Sequence, residues 1–197
     1  SRKAGRGRHQ DPAASRFPVV ALGSSAGGLQ ALEDFFEAMP DDSGMAFVVV
    51  AHLDPDHATL LPELLGRKTG MRASQVEDGV ELAPNRIFVI PPNREMAIIN
   101  GTLQLLEMKK PRGINLPIDT FLRSLAQDRG SRAIGIILSG TGTDGTLGVR
   151  AIKGEAGMVM VQDCDSAKYD GMPKSAIDTG LVDYVLPPSE MPAKLID

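Results

Sequence analysis

The chain has 197 residues, 42% of them hydrophobic and 23% charged, with a formal net charge of -4; these values suit one soluble domain with a real core and exclude a fibrous or low-complexity protein. No apolar run approaches the ~18 residues of a membrane span, and no signal-peptide core opens the chain. The single cysteine, Cys164, excludes an internal disulfide, a redox pair and a zinc-thiolate motif, which predicts a reducing, cytoplasmic setting.

Residues 1–16 set Arg2, Lys3, Arg6, Arg8 and Arg16 against Asp11 alone, so a basic tail precedes an acidic body. Its Gly, Ala, Ser and Pro have no amphipathic period and no aromatic residue, which reads as a solvated linker and not as a nucleic-acid arm. The domain is expected over 17–197. Because the sequence begins on Ser1 and not on methionine, it is expected to be a piece of a longer chain.

The first element is a continuous apolar run at 17–22, as in a strand buried on both faces of a parallel sheet. It feeds Gly23-Ser24-Ser25-Ala26-Gly27-Gly28 and then a helix at 29–38 with Leu29, Leu32, Phe35 and Phe36 on one stripe. A second apolar strand at 45–51 completes a βαβ unit. It runs directly into His52-Leu53-Asp54-Pro55-Asp56-His57, after which a helix is expected at 59–67 and a small strand at 72–76.

From Glu77 to Glu107 the pattern changes. Short apolar runs at 87–90, 96–99 and 103–106 alternate with turn signals, and Asn100-Gly101 between two of them predicts a hairpin. This stretch reads as a β excursion forming a wall of a cleft. The basic loop Lys109-Lys110-Pro111-Arg112-Gly113 leads to a helix at 117–127 with Ile118, Phe121, Leu122 and Leu125 inside. Together with Arg67 and Lys68, this loop is either a solvated face or a contact for an acidic partner.

A third buried strand at 133–138 ends in a second glycine-rich turn, Ser139-Gly140-Thr141-Gly142-Thr143-Asp144-Gly145, followed by a helix at 146–153. A strand at 158–162, a helix at 174–179 started by Pro173, a strand at 181–186 and a final helix at 190–196 complete the chain. The fold class is therefore α/β: a doubly wound, mostly parallel sheet in a three-layer α/β/α sandwich, with a β-hairpin excursion.

In such a sheet, ligands bind beyond the carboxyl ends of the strands. Ser25, His52 and Asp144 all occupy that position. Serine becomes a nucleophile only when a base takes its proton; histidine suits that task, and a carboxylate fixes its tautomer and stabilises the imidazolium. Bland roles remain for each, as turn residue, strand cap and helix N-cap. A metal site from His52, Asp54, Asp56, His57 and Asp144 lacks the helical ligand spacing. A phosphate cradle is the other alternative: Gly140-x-Gly142-x-x-Gly145 has dinucleotide spacing but stands late in the chain, with only Asp163 as a ribose partner. No cofactor is called for. Cys164 is unsuited as a nucleophile, because Asp163 and Asp165 disfavour its thiolate.

Several ordered stretches together resemble the catalytic domain of CheB, the chemotaxis protein-glutamate methylesterase. They are the segment 20–28, the Ala51-His52 step, Glu77-Asp78-Gly79, Pro91-Pro92, the segment 136–145 and Gly171-Met172-Pro173. The resemblance covers about 17–197. It implies a serine hydrolase that removes methyl groups from glutamate γ-methyl esters on cytoplasmic chemoreceptor helices and also deamidates particular glutamines. Carried over, Ser25 is the nucleophile, His52 the general base and Asp144 the orienting acid, with the Ala26 and Thr141 N–H groups as the oxyanion donors.

Two departures accompany the likeness. Free-standing members carry a phosphorylation-gated receiver domain ahead of this region, where the present sequence has its basic tail. They also have a His-Arg-Pro stretch where this chain reads Ile114-Asn115-Leu116-Pro117-Ile118-Asp119. The second departure is similar to methylesterase-like domains fused to a CheR-type methyltransferase. A fusion partner of that kind is therefore expected, and a non-catalytic docking or regulatory module is the alternative reading.

Overall fold

The computed structural model describes residues 17–108 and 115–197. The predicted tail at 1–16 and the whole of the basic loop at 109–113 lie outside the described residues. The main sheet has seven strands, all parallel: β1 (Val19–Ser24), β2 (Ala46–Ala51), β3 (Arg72–Gln75), β5 (Arg86–Val89), β8 (Ala133–Ile137), β9 (Met158–Gln162) and β10 (Tyr184–Leu186). Their order is β10-β9-β8-β1-β2-β5-β3. A smaller antiparallel sheet holds β4 (Val80–Glu81), β6 (Arg94–Ile99) and β7 (Thr102–Glu107) in the order β4-β7-β6.

Strand β1 shows why its apolar run is unbroken. Successive side chains of a strand point to opposite faces, and both faces here are covered. Val20 and Leu22 join a core with Phe47 of β2 and with Leu32, Phe35, Phe36, Leu61 and Leu65, supplied by α1 (Gly28–Ala38) and α2 (Pro55–Gly66). Val19 and Ala21 face a second core built by α3 (Pro117–Arg129), α4 (Thr146–Gly154) and the small sheet. The rings of Phe35, Phe36 and Phe47 meet edge to face at 5.1–6.1 Å, a geometry that adds to simple burial. The remaining helices are α5 (Gly171–Ile177) and α6 (Met191–Ile196).

Four elements depart from their sequence-based expectation; one is the strand expected at 181–186, which forms only over Tyr184–Leu186 as β10. The run expected in the β excursion as a strand at 87–90 instead enters the main sheet as β5, between β2 and β3. Ile87, Phe88 and Val89 are all buried, as a central strand requires and a hairpin exposed on one face does not. Helix α2 starts at Pro55, four residues early, because Asp54 caps it by accepting the His57 N–H at 3.1 Å and Pro55 takes a first-turn position. Helix α5 starts at Gly171, so Pro173 stands within its first turn, where its missing N–H costs nothing. The Asn100-Gly101 hairpin forms as expected, both residues at positive φ (52° and 73°), which a two-residue turn of this kind demands.

The chain lays β2, β5 and β3 to one side of β1 and β8, β9 and β10 to the other. The sheet order therefore reverses between β1 and β8, and a crevice opens at their carboxyl ends.

Candidate active site

Ser25, His52 and Asp144 follow β1, β2 and β8 and lie around that crevice. Ser24 pairs with Ala51 in the β1–β2 register, and the His52 N–H donates to Ser24 O at 2.9 Å. Ser25 and His52 thus leave two adjacent strand ends side by side. Ser24, buried beneath the turn, leaves Gly28 no room: a Cβ there would stand 2.5 Å from Ser24 Cβ.

Ser25 is buried, and the adjacent loop after β8 surrounds it. Its backbone N–H donates to Ser139 O at 3.0 Å, and Thr141 N–H donates to Ser25 Oγ at 3.1 Å. Ser25 Oγ in turn points its hydrogen at Met172 Sδ, 3.5 Å away. Gly140 makes the approach possible, since a Cβ there would fall on Ser25 Oγ and lie 2.6 Å from Met172 Sδ. Ser139 fastens the two glycine-rich turns together: its hydroxyl donates to Ala26 O at 2.9 Å and accepts from Tyr169 N–H at 3.0 Å. Gln162, at the end of β9, accepts the Ser139 N–H at 2.8 Å.

Asp144 is almost fully enclosed and accepts three donors. Its Oδ2 takes the Ile118 N–H at 3.0 Å and faces His52 Nε2 at 3.2 Å, and its Oδ1 takes the Asp119 N–H at 2.9 Å. The two amides are unpaired first-turn groups of α3, so Asp144 is indeed a helix cap, but of α3 and not of the following helix as the bland reading had it. Because a carboxylate only accepts, Nε2 carries the ring hydrogen and Nδ1 is left with its lone pair. The His52 side chain keeps 35% of its exposure against 7% for Asp144, so the base meets solvent and substrate while its orienting group does not.

Among the described residues no hydrogen bond joins Ser25 Oγ to the His52 ring. The hydroxyl is turned instead to Thr141 N and Met172. A cleft of about 70 Å³ opens beside His52, lined by Ala51, Leu53, Pro91, Asn93, Arg94 and Met108 among others. A larger concavity of about 350 Å³ lies at the amino ends of β9 and β10, away from these residues.

On the exposed start of α2 the His57 backbone N–H, and then its ring at 2.5 Å, bond the Asp54 carboxyl and hold it below its usual range, so His57 is engaged apart from the His52–Asp144 pair. No group of three or more His, Cys, Asp or Glu residues is arranged to hold a metal ion among the described residues. Burial and the neighbouring Asp170 and Asp165 push the Cys164 thiol up, in line with its dismissal as a nucleophile.

Met172, Gln162 and Asp119 surround the site without having been singled out from the residues. Met172 had only its place in the Gly-Met-Pro step. Asp119 interrupts an apolar helix stripe close to the amino end of α3, the one local sign that it has a buried partner.

A doubly wound α/β domain with a buried serine, a histidine and a carboxylate at its switch point has the layout of a serine hydrolase. The chain belongs to the CheB methylesterase family, whose model matches residues 20–195. It is 32% identical over 183 residues to a protein-glutamate methylesterase/protein-glutamine glutaminase of Thermotoga maritima, covering 91% of this chain and 53% of that protein. A Pyrococcus horikoshii protein of the same description is 30% identical over 182 residues, 90% of this chain and 50% of its own length. This chain therefore spans about half the length of these two relatives. A 104.1 kDa uncharacterized protein of Rhodobacter capsulatus is 45% identical over 126 residues, 64% of this chain but 13% of that protein. Among solved structures, the crystal structure of the Thermotoga maritima CheB methylesterase catalytic domain superposes with a TM-score of 0.83 at 32% identity, covering 91% of this chain and 97% of that one.

Proposed function

We propose that residues 17–197 form a protein-glutamate methylesterase domain that hydrolyses glutamate γ-methyl esters on chemoreceptor helices and deamidates selected glutamines, by a Ser25-His52-Asp144 mechanism. The observation that carries this reading is the pairing of the two half-sites: Asp144 fixes His52 through Nε2, while Thr141 N–H addresses Ser25 Oγ. Family membership supplies the ester chemistry and the substrate class.

With Nε2 held by Asp144, Nδ1 is the nitrogen that accepts the serine proton. A rotation about Ser25 χ1 releases the hydroxyl from Met172 toward His52; catalytic hydrogen bonds are often long or unformed before substrate binds. Oγ then attacks the ester carbonyl as Nδ1 takes its proton. Thr141 N–H, freed from Oγ, and Ala26 N–H receive the developing oxyanion. Collapse expels methanol, protonated by His52, and leaves an acyl-enzyme. Water repeats the sequence and frees the glutamate carboxylate and Ser25. For a glutamine the same steps release ammonia.

A rapidly quenched reaction with a γ-methyl-glutamyl peptide should leave the peptide's acyl group on the Ser25 tryptic fragment. Methanol release with an adduct on another residue, or with none in the wild type under burst conditions, contradicts the assignment.

The setting is proposed as cytoplasmic, where receptor helices are accessible; among the described residues no helix is long and apolar enough to cross a membrane. The match to a small fraction of a 104.1 kDa protein supports a domain within a larger signalling chain, with a CheR-type methyltransferase domain as the proposed neighbour. The lack of a Ser25–His52 hydrogen bond favours the second reading, a docking or regulatory module; an inactive wild type that still binds receptor would select it.

A further inference from the structure

Asp119 is buried, 4% exposed, and its carboxyl plays no part in the steps above. It lies in the first turn of α3, and its backbone N–H donates to Asp144 Oδ1 at 2.9 Å. Its own Oδ1 accepts Gly148 N–H, in the first turn of α4, at 2.7 Å. The two aspartates therefore cap one another's neighbourhoods: Asp144, from the loop before α4, holds the start of α3, and Asp119, from α3, holds the start of α4. Where they meet, a second carboxyl stands behind the one that faces His52.

We infer that Asp119 is a positioning residue for the proposed reaction, which places a second negative charge behind Asp144 and so stabilises the imidazolium that forms on His52 during acyl transfer. The inference rests on the Ser25-His52-Asp144 reading.

Electrostatics around the residue support this role. Burial first, and then the adjacent charge of Asp144, raise the Asp119 carboxyl to about 6, against the opposite pull of the Gly148 and Gly145 amides. The loop before α4 contributes Asp144, and the end of β2 contributes His52 beyond it. From α3 itself Arg123 is exposed one turn on; from β6 come Arg94 and Glu95, and from α4 Arg150 and Lys153, the last paired with Asp183. None of these forms an ion pair with Asp119 among the described residues. Among the described residues the carboxyl thus has amide donors, a hydrogen-bonded like charge in Asp144 and no ion-paired cation, so its protonation state changes the field at Asp144 directly.

The consequence is a rate advantage that switches on with Asp119 ionisation. Asp119→Asn is the neutral mimic, since its amide oxygen can still accept the Gly148 N–H. Acylation of Ser25 is measured with p-nitrophenyl acetate, and ester hydrolysis with methylated receptor, from pH 5 to pH 8.5. The expected ratio of wild-type to D119N kcat is near one at pH 5, climbs through a midpoint near pH 6 and reaches about tenfold at pH 8 with KM unchanged, as one added charge in a shielded site allows. A ratio constant across this range, whatever its value, overturns the inference and leaves Asp119 as a helix cap only.

If D119N does not fold, the charge-keeping Asp119→Glu decides: it must retain the wild-type rise of kcat between pH 5 and pH 8 with KM unchanged, and a folded variant whose kcat is flat across that range overturns the inference. Equal burst amplitudes from wild type and Ser25→Ala with p-nitrophenyl acetate would instead overturn the nucleophile assignment, so the two failures are distinguishable.

Discussion

Asp144→Asn separates the charge and tautomer roles of the orienting group from its shape. The carboxylate accepts three N–H groups, from Ile118, Asp119 and His52, whereas an amide offers one accepting oxygen and one donating NH2. If the Asn oxygen keeps the Oδ2 place, its NH2 confronts the Asp119 N–H and orphans a buried amide, at about 1–3 kcal/mol. If the oxygen takes the Oδ1 place, the NH2 faces Ile118 N–H and His52 Nε2. The hydrogen must then leave Nε2 for Nδ1, and the nitrogen that should receive the serine proton no longer has a free lone pair to take it. In either orientation the negative charge behind the imidazolium is gone.

Neutralising the equivalent group of a Ser-His-Asp site lowers kcat by about 10⁴ through the wrong tautomer. We expect kcat for methyl-ester hydrolysis to fall by about 10³ to 10⁴ in D144N with a smaller change in KM. The orphaned amide should lower Tm by about 2–4 °C per kcal/mol in a domain of this size. Methanol release and scanning calorimetry on the same preparation read both. A folded D144N protein within tenfold of wild-type kcat would refute the placement of Asp144 as the orienting acid.

Gly140→Ala puts a Cβ on Ser25 Oγ and 2.6 Å from Met172 Sδ. The turn must shift and carry Thr141 N away from the nucleophile, so kcat should drop on the order of 10² to 10³, as when one oxyanion donor is lost, and wild-type kcat would show that the turn carries no donor. Asp119 also governs stability against pH. A carboxyl raised from 3.8 to about 6 binds its proton more tightly folded than unfolded. Stability is therefore fullest below about pH 4, falls as pH rises from there to about 6, and stays reduced above. The loss is about 2–3 kcal/mol. D119N lacks this titration, so its Tm relative to wild type should rise by several degrees between pH 4.5 and pH 7; an unchanged difference would contradict the raised carboxyl.

Much of the site was legible because its signals are local. Glycine-rich turns after buried strands declare themselves within a few residues, and strand-end topology carries Ser25, His52 and Asp144 to one edge. The misplacement of β5 has a different origin. Residues 86–89 sit between turn signals like those around β6 and β7, and only their burial on two faces distinguishes them, a property of which strand they pair with. Asp119 was hidden for a related reason. Its partner, Gly148, lies 29 residues away on another helix, and nothing in the spacing of α3 alone names that partner. The early start of α2 was within reach: Asp54-Pro55 is a cap followed by a first-turn proline.

Methanol release from a methylated receptor fragment by wild type, Ser25→Ala and His52→Gln tests the central claim most directly. The account predicts steady release by the wild type and a loss of at least about 10³ in both variants, each folded by calorimetry, because removing either group ends nucleophilic attack. Release by Ser25→Ala equal to that of the wild type would contradict it.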